Sequence, residues 1–277
     1  MVSPELVAVP TQGVEKRIGL HNHTGERVLI APSPRLETSP SPEREGVVHG
    51  LSDVDDVLVD CWGGFVDAAN KEFGTHHTYK EIAVFGHIQY AEKLWAGMKG
   101  RRYENFQQFF FNTRDDPEFH FNLKPNEWLI NAINKLIAEG DLALDAYVTS
   151  RDENRLYPIT RRYHEKFNCP DSPVICRPDD VPYGETKGRD KWKHKAYEWF
   201  QPHVVLEDNI WAARDALIEF PEMRFLIVRT IFNRHELIDD PRLIPISNSE
   251  DVMQAIHNQG RRIAVLHKLT RAGLMLA

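Results

Sequence analysis

A chain of 277 residues with 42% hydrophobic and 10% aromatic content can bury the core of one large domain, or of one domain with a smaller insert, which excludes general disorder. Its formal charge of −7 creates no field that would gather DNA or RNA, so nucleic acid is a disfavoured partner, although a small phosphorylated molecule needs only a local positive pocket. The three cysteines, Cys61, Cys169 and Cys176, follow no metal spacing, and their odd number argues against a disulfide framework.

A reducing cytoplasm is the expected location. No run of about 18 apolar residues is present and the N-terminus lacks a basic-then-apolar secretion pattern, so no membrane partner is expected.

Along the chain, residues 1–46 stand apart. They are punctuated by prolines and end in PSPRLETSPSPERE, which reads as a linker, preceded by a short apolar centre in GERVLIAPS that suits a small β element. His21 and His23 in HNH lack a downstream metal-ligand pattern and read as loop histidines. From Val47 onward, strand-length apolar segments alternate with helix-like ones, as in a parallel sheet covered by helices. The expected strands are Asp53 to Val59, Ala143 to Thr149, Val204 to Glu207 and Phe225 to Val228. Between the first two, GFVDAANKEFG, IQYAEKLWAGM and NEWLINAINKLIAEG have helical spacing. That stretch is too long for a simple crossover. Residues 67–122 are therefore expected to form an inserted cap, with the core from 47–66 and 123–277.

The residues suited to chemistry fall at the ends of these strands. Asp53 and Asp55 offer one carboxylate to attack phosphorus and another to handle the leaving-group proton, at the sheet edge where open α/β folds bind ligands. Alone, two such aspartates read equally as a surface loop. In YVTSR, Thr149 and Ser150 offer hydroxyls and backbone N–H groups to a phosphate, with Arg151 beside them, although a Thr-Ser pair is also an ordinary helix N-cap. The run KGRDKWKHK would ordinarily be a solvated basic face, but one of its lysines could neutralise a carboxylate–phosphate pair. Glu207 and Asp208 end the apolar strand VVLE, where two acids are costly unless they meet a cation or hydrogen-bond donors, and Mg²⁺ prefers such oxygen ligands.

In this order, DVDDVL, the Thr-Ser of YVTSR, a lysine and the acidic pair of LEDN resemble the four motifs of the haloacid dehalogenase-like superfamily, over about residues 50–256. The resemblance implies a three-layer Rossmann-like α/β core with a parallel sheet and a small helical cap after the first strand. It also implies an Mg²⁺-dependent phosphatase working through an aspartyl-phosphate, with Asp53 as nucleophile and Asp55 as acid and base. Thr149 and Ser150 would bind phosphate. Asp53, the backbone carbonyl of Asp55 and Asp208 would hold the metal, with Glu207 nearby. Lys191 has the more usual spacing for the motif lysine, with Lys187 second.

Within the superfamily, DVLVDCWGGFVDAANKEFG, FNLKPNEWLINAINKL and FLIVRTIFNRHELIDDPRLIPISNSEDVMQAI are similar to the cytosolic 5′(3′)-deoxyribonucleotidase branch, with Asn233 and Arg234 after a late strand. Two departures are Asp56, where glycine is usual and a positive φ would be allowed, and Thr230-Ile231-Phe232 before Asn233. Trp62, Phe65, Tyr90 and Trp95 are candidates to stack on a base, against the ordinary reading of aromatics at helical spacing as cap core. His76 and His77 read as loop, and His87 stays undecided. The expected substrate is a small phosphate ester, a nucleoside or deoxynucleoside monophosphate first. The rivals are a sugar-phosphate or nucleic-acid-end phosphatase, and an inactive binding scaffold. A homodimer is left open.

Overall fold

The computed structural model describes residues 19–21, 27–29, 46–83, 90–178 and 191–271. The Pro/Ser-rich run, His23, His87 and Lys187 lie outside them. Near the N-terminus, β1 (Gly19–His21) pairs antiparallel with β2 (Arg27–Leu29). The short β element expected within Gly25 to Ser33 is thus one arm of a hairpin, and β1 lies against a later edge strand.

Six parallel strands form the central sheet: β3 (Val48–Ser52), β4 (Leu142–Asp152), β5 (Val174–Arg177), β6 (Val204–Glu207), β7 (Arg224–Val228) and β8 (Leu243–Ile246). Their spatial order is β5-β4-β3-β6-β7-β8. The chain fills one side of β3 and then crosses to the other, so the topological switch, where open α/β sheets form a ligand crevice, stands at the C-terminal end of β3.

The period of two along the strands sorts the core into two layers. Leu206, Leu226 and Val228 face one apolar cluster with Leu129, Ile133 and Leu136 of α5 (Glu127–Glu139) and Val252 and Ile256 of a long C-terminal helix, 249–271. Val205, Phe225 and Ile227 face the other, with Trp192, Ala196 and Tyr197 of a helix over 191–200 and Ala213, Ala216 and Leu217 of a helix over 210–219. The architecture is α/β with a Rossmann-like parallel sheet between helical layers, as expected. Among the described residues no helix is long and apolar enough to cross a membrane.

Two strands, VICR and LIPI, escaped the sequence reading because each is four residues long and lacks a distinctive period. The first strand is also displaced from its expected position. It runs Val48–Ser52, and 53–60 form turns rather than a strand, because DVDDVLVD places carboxylates where ladder positions would have to be apolar.

Between β3 and β4 the chain makes a helical excursion: α1 (Cys61–Phe73), α2 (Tyr79–Ile82), a 3₁₀ turn at Tyr90–Leu94, α3 (Phe106–Arg114) and α4 (Pro117–Phe121). Its two ends are stitched together. Val59 bridges Pro125, Asp60 N–H donates to the carbonyl of Lys124 at 2.9 Å, and Asn126 N–H donates to that of Leu58 at 2.7 Å. The excursion between these crossings spans 60–124, against the 67–122 expected for an inserted cap. The start of α1 is tightly built: Asp60 accepts from Gly63 N–H at 2.8 Å, and a Cβ on Gly63 would lie 2.1 Å from the Asp60 carboxylate.

Candidate active site

Asp53 follows directly on β3, and its N–H continues the ladder to the carbonyl of Leu206 at 2.9 Å. Its carboxylate is buried. Oδ1 accepts from the N–H of Val54 at 2.7 Å, and Oδ2 accepts from Lys193 Nζ at 2.7 Å. Lys193 is itself buried and also donates to Glu207 Oε2 at 3.0 Å, so one ammonium is clamped between two carboxylates. The other Glu207 oxygen accepts the N–H groups of Asp208 and Asn209, at 3.2 and 3.1 Å.

Asp55 lies across the site in a bidentate pair with Arg151. Arg151 Nη2 donates to Oδ1 at 2.7 Å, and Nε reaches Oδ1 and Oδ2 at 3.1 and 3.2 Å. The guanidinium is buried and anchored through Nη1 to Thr160 Oγ1 at 3.0 Å. Burial, the largest single effect, pushes Asp55 upward, but Arg151 together with His120 and Lys193 leaves the carboxyl below its ordinary value.

Asp56 adopts φ 57°, the left-handed backbone that glycine supplies in the resembling motif. Its Oδ1 accepts from the N–H groups of Cys61 and Trp62 at 3.0 and 3.1 Å, so the departure from glycine is compensated by tying the turn to the first cap helix. Asp56, a candidate substrate contact, thus has a structural duty and also borders the cleft. Asp56→Val is expected to lose about 2–4 kcal/mol, from a β-branched residue forced to positive φ and two lost hydrogen bonds. Asp56→Gly should stay within about 1 kcal/mol of the parent. Urea unfolding of both variants checks the order; equal losses would remove the backbone from the explanation.

A cleft of about 390 Å³ opens over these residues. One wall is aromatic, with Trp62, Phe65 and Phe110 from the cap and Phe232 from the core. Trp62 stacks on Phe110 at 6.5 Å and 12°, and meets Phe232 edge-on at 5.9 Å. The lining also carries the polar groups of Arg114, Asp115, His120, Asp152 and Arg177. Burial and then Arg151 push the imidazole of His120 down to about 4.

Carboxylate oxygens of Asp53, Glu207 and Asp208 all lie within 4.8 Å of one another. Burial above all raises Asp53 and Asp208 well above the ordinary value; at Asp53 the Lys193 ammonium opposes the rise and Glu207 adds to it, and at Asp208 the charges of Asp56, Glu207 and Asp53 add to it. The donor set fits a hard divalent cation. Asp53 and Glu207 each accept protein donors on both oxygens and share Lys193, whereas no protein hydrogen bond to the Asp208 carboxylate is formed among the described residues. Asp53, Glu207, Asp208 and the carbonyl of Asp55 are the candidate Mg²⁺ ligands.

The same charges set a pH dependence. Asp53, Asp56 and Asp208 sit above the ordinary aspartate value of 3.8, so the native state holds protons that the unfolded chain has released; their contribution is full below 3.8 and lost as pH rises through the folded values. Asp55, lowered, works oppositely: its contribution is present above 3.8 and lost as pH falls through its folded value. Metal-free protein is therefore expected to gain stability to urea between neutral pH and about pH 5. Mg²⁺ should raise Tm more at neutral pH than at about pH 5, where protons compete for the ligands. Absence of any Mg²⁺ effect on Tm at neutral pH would count against a metal site at Asp53 and Asp208.

No protein-family model matches the chain, and no curated protein resembles it in sequence. Among solved structures, the chain is similar to CbbY from Rhodobacter sphaeroides in complex with phosphate, at 16% identity over 73% of this chain and 95% of that one, TM-score 0.46. It is also similar to a haloacid dehalogenase-like family hydrolase from Streptococcus pneumoniae, at 13% identity over 76% and 98%, TM-score 0.46. A third is β-phosphoglucomutase from Clostridium difficile, at 9% identity over 79% and 99%, TM-score 0.46.

Asp53, Asp55, Ser150, Arg151, Glu207 and Asp208 all border the one cleft, with Trp62 and Phe65 on its aromatic wall. Thr149 does not join them. It is fully buried, and its hydroxyl accepts the N–H of Arg151 at 3.4 Å. The lysine brought to Asp53 is Lys193, two residues beyond the expected Lys191, which opens the helix over 191–200. Trp95 is fully buried, stacked on Phe106 at 5.1 Å with its indole N–H on Thr75, and serves as cap core rather than a base platform. The side chain of Tyr90 lies outside the described residues. Asn233 emerges as a positioning residue, donating to the carbonyls of Asp208 at 2.7 Å and Val228 at 2.9 Å, whereas Arg234 is exposed.

Proposed function

We propose that this chain is an Mg²⁺-dependent phosphomonoesterase of the haloacid dehalogenase-like class. One observation carries the reading: a buried carboxylate at the end of the central strand, Asp53, fixed by Lys193, with a second carboxylate two residues on across the same cleft. Asp53 Oδ forms the bond to phosphorus as the ester oxygen leaves with its electron pair, and water then attacks the aspartyl-phosphate, releasing phosphate and restoring the carboxylate. When bound, Mg²⁺ would supply shielding of the negative charge between nucleophile and phosphate. Lys193 sets the orientation of the attacking carboxylate. Asp55, held as a carboxylate by Arg151, is suited to taking the proton of the attacking water. To donate a proton to the departing oxygen in the first half of the cycle, the pair with Arg151 has to loosen as the phosphoryl group arrives.

Two leaving-group classes each have their own support. The aromatic group of Trp62, Phe110 and Phe232 favours a nucleoside monophosphate, whose base can lie on an aromatic face, while the polar lining groups Arg114, Asp115 and His120 favour the hydroxyls of a sugar phosphate. Hydrolysis of p-nitrophenyl phosphate that needs Mg²⁺ and stops with EDTA is the expected result. Turnover of no phosphate ester by the folded protein would refute the reading. Nucleoside monophosphates and pentose and hexose phosphates compared side by side at saturating Mg²⁺ decide the class; stacking worth about 1–3 kcal/mol would favour nucleotides by roughly five- to 150-fold in kcat/KM.

A further inference from the structure

Away from the cleft, Glu139, Asp141 and His257 bring two carboxylate oxygens and an imidazole nitrogen within 4.8 Å of one another. Each comes from a different piece of the fold. Glu139 is the last residue of α5, Asp141 immediately precedes β4, and His257 lies on the C-terminal helix, 249–271. Asp53 follows β3 whereas Asp141 precedes the parallel strand β4, so this group stands at the opposite end of the sheet from the catalytic carboxylates. The backbone around it is fixed. Gly140, between the two acids, closes α5 at φ 79° and donates its N–H to the carbonyl of Ile137 at 3.0 Å. Asp141 N–H donates to the carbonyl of Leu136, and its own carbonyl accepts the N–H of Val48, both at 2.9 Å. Three residues after His257, Gly260 lets the helix approach so closely that a Cβ there would lie 2.7 Å from the carbonyl oxygen of Gly46.

An ion in solvent can reach these side chains. Those of His257 and Asp141 are 40% and 45% exposed, and with Glu139 they border a cavity of about 410 Å³. His257 Nε2 and Asp141 Oδ2 stand 3.1 Å apart. Two donors held tetrahedrally at about 2.0–2.1 Å from one ion are about 3.3 Å apart, so the pair already has the spacing of two ligands on Zn²⁺. An ordinary ion pair would account for His257 and Asp141, but it would not use the second carboxylate. Glu139 meets Lys135 Nζ at only 3.9 Å, and one imidazolium cannot balance two carboxylates, whereas a divalent cation does. A nitrogen among the ligands favours Zn²⁺ over Mg²⁺. We infer that Glu139, Asp141 and His257 form a Zn²⁺ site, completed by water, that fastens the C-terminal helix to the start of β4. The inference does not depend on the phosphatase reading.

The test titrates the full chain with Zn²⁺ against a chromophoric chelator, in excess Mg²⁺ so that the carboxylates around Asp53 compete less for the probe. The parent is expected to bind a Zn²⁺ ion whose Kd rises at least about 100-fold in His257→Ala and in Asp141→Asn, because groups that merely orient a ligand are already worth 10–100-fold. Amide hydrogen exchange along the C-terminal helix should slow when Zn²⁺ is added to the parent and stay unchanged in His257→Ala. If His257→Ala fails to fold, His257→Gln takes its place, since it keeps a polar group on the helix without the imidazole. A parent that binds no Zn²⁺ overturns the inference. So does Zn²⁺ binding that survives undiminished in His257→Ala or His257→Gln, which would place the ion elsewhere on the chain. Binding that is lost in the variants but leaves exchange along the parent's helix unchanged overturns the fastening role.

Discussion

Asp53→Asn is expected to lower turnover by at least about 10⁴-fold while leaving the fold intact. An amide cannot form the acyl-phosphate bond, and it also withdraws one anionic ligand from the candidate metal site. The fold should survive the change because the amide oxygen can still accept from one of the two donors that Asp53 meets, the N–H of Val54 or Lys193 Nζ, and burial no longer has to hold an ionised carboxylate. Lys193 keeps its second partner, Glu207. Acid-quenched parent should carry one phosphoryl group on the peptide containing Asp53, seen by intact and peptide mass analysis, and the variant none. Full turnover by purified Asp53→Asn would end the covalent mechanism.

Lys193→Met is expected to damage stability and catalysis together. The ammonium is almost wholly buried between Asp53 and Glu207, which are 8% and 1% exposed, and its removal leaves two facing carboxylates without a counterion. Breaking such a buried cluster costs about 3–5 kcal/mol. Losing a fixed positive charge beside the nucleophile lowers kcat by a further 10²–10³-fold, roughly. Lys193→Arg is not expected to rescue either property, because a planar fork cannot replace a point charge sized to fit between two carboxylates. The same change to Met at Lys191 should cost far less on both counts. Denaturant unfolding and steady-state kinetics on the two Met variants would check this, and a Lys191→Met enzyme impaired as much as Lys193→Met would overturn the assignment of the buried lysine.

Strongly patterned and charged segments were the legible part of this protein. The apolar runs VVLE and FLIV, bounded by polar residues, could bury themselves only as strands, and the helical period of NEWLINAINKLIAEG had one compatible structure. The motif aspartates Asp53, Asp55 and Asp208 could be named for the same reason, since carboxylates at the ends of apolar strands need a partner to offset desolvation. Asp56 was recognisable as a departure at a glycine position, and its φ of 57° bears out the demand for a left-handed backbone there. Where a side chain points was decided by tertiary packing. KGRDKWKHK contains several lysines of equal local merit, and only the seating of the helix over 191–200 on the sheet, through Trp192, Ala196 and Tyr197, turns Lys193 toward Asp53. The division between Trp62 on the cleft and Trp95 in the cap interior has the same origin, because both are aromatic residues at helical spacing and only the folding of the cap upon itself tells them apart. Arg151 meets Asp55 across 96 positions of chain, and His120 meets the carbonyl of Arg114 at the rim of the same cleft. Their chemistry depends on distances of a few ångströms created when the cap and the core close over one cleft, a proximity that local propensity and periodicity do not encode.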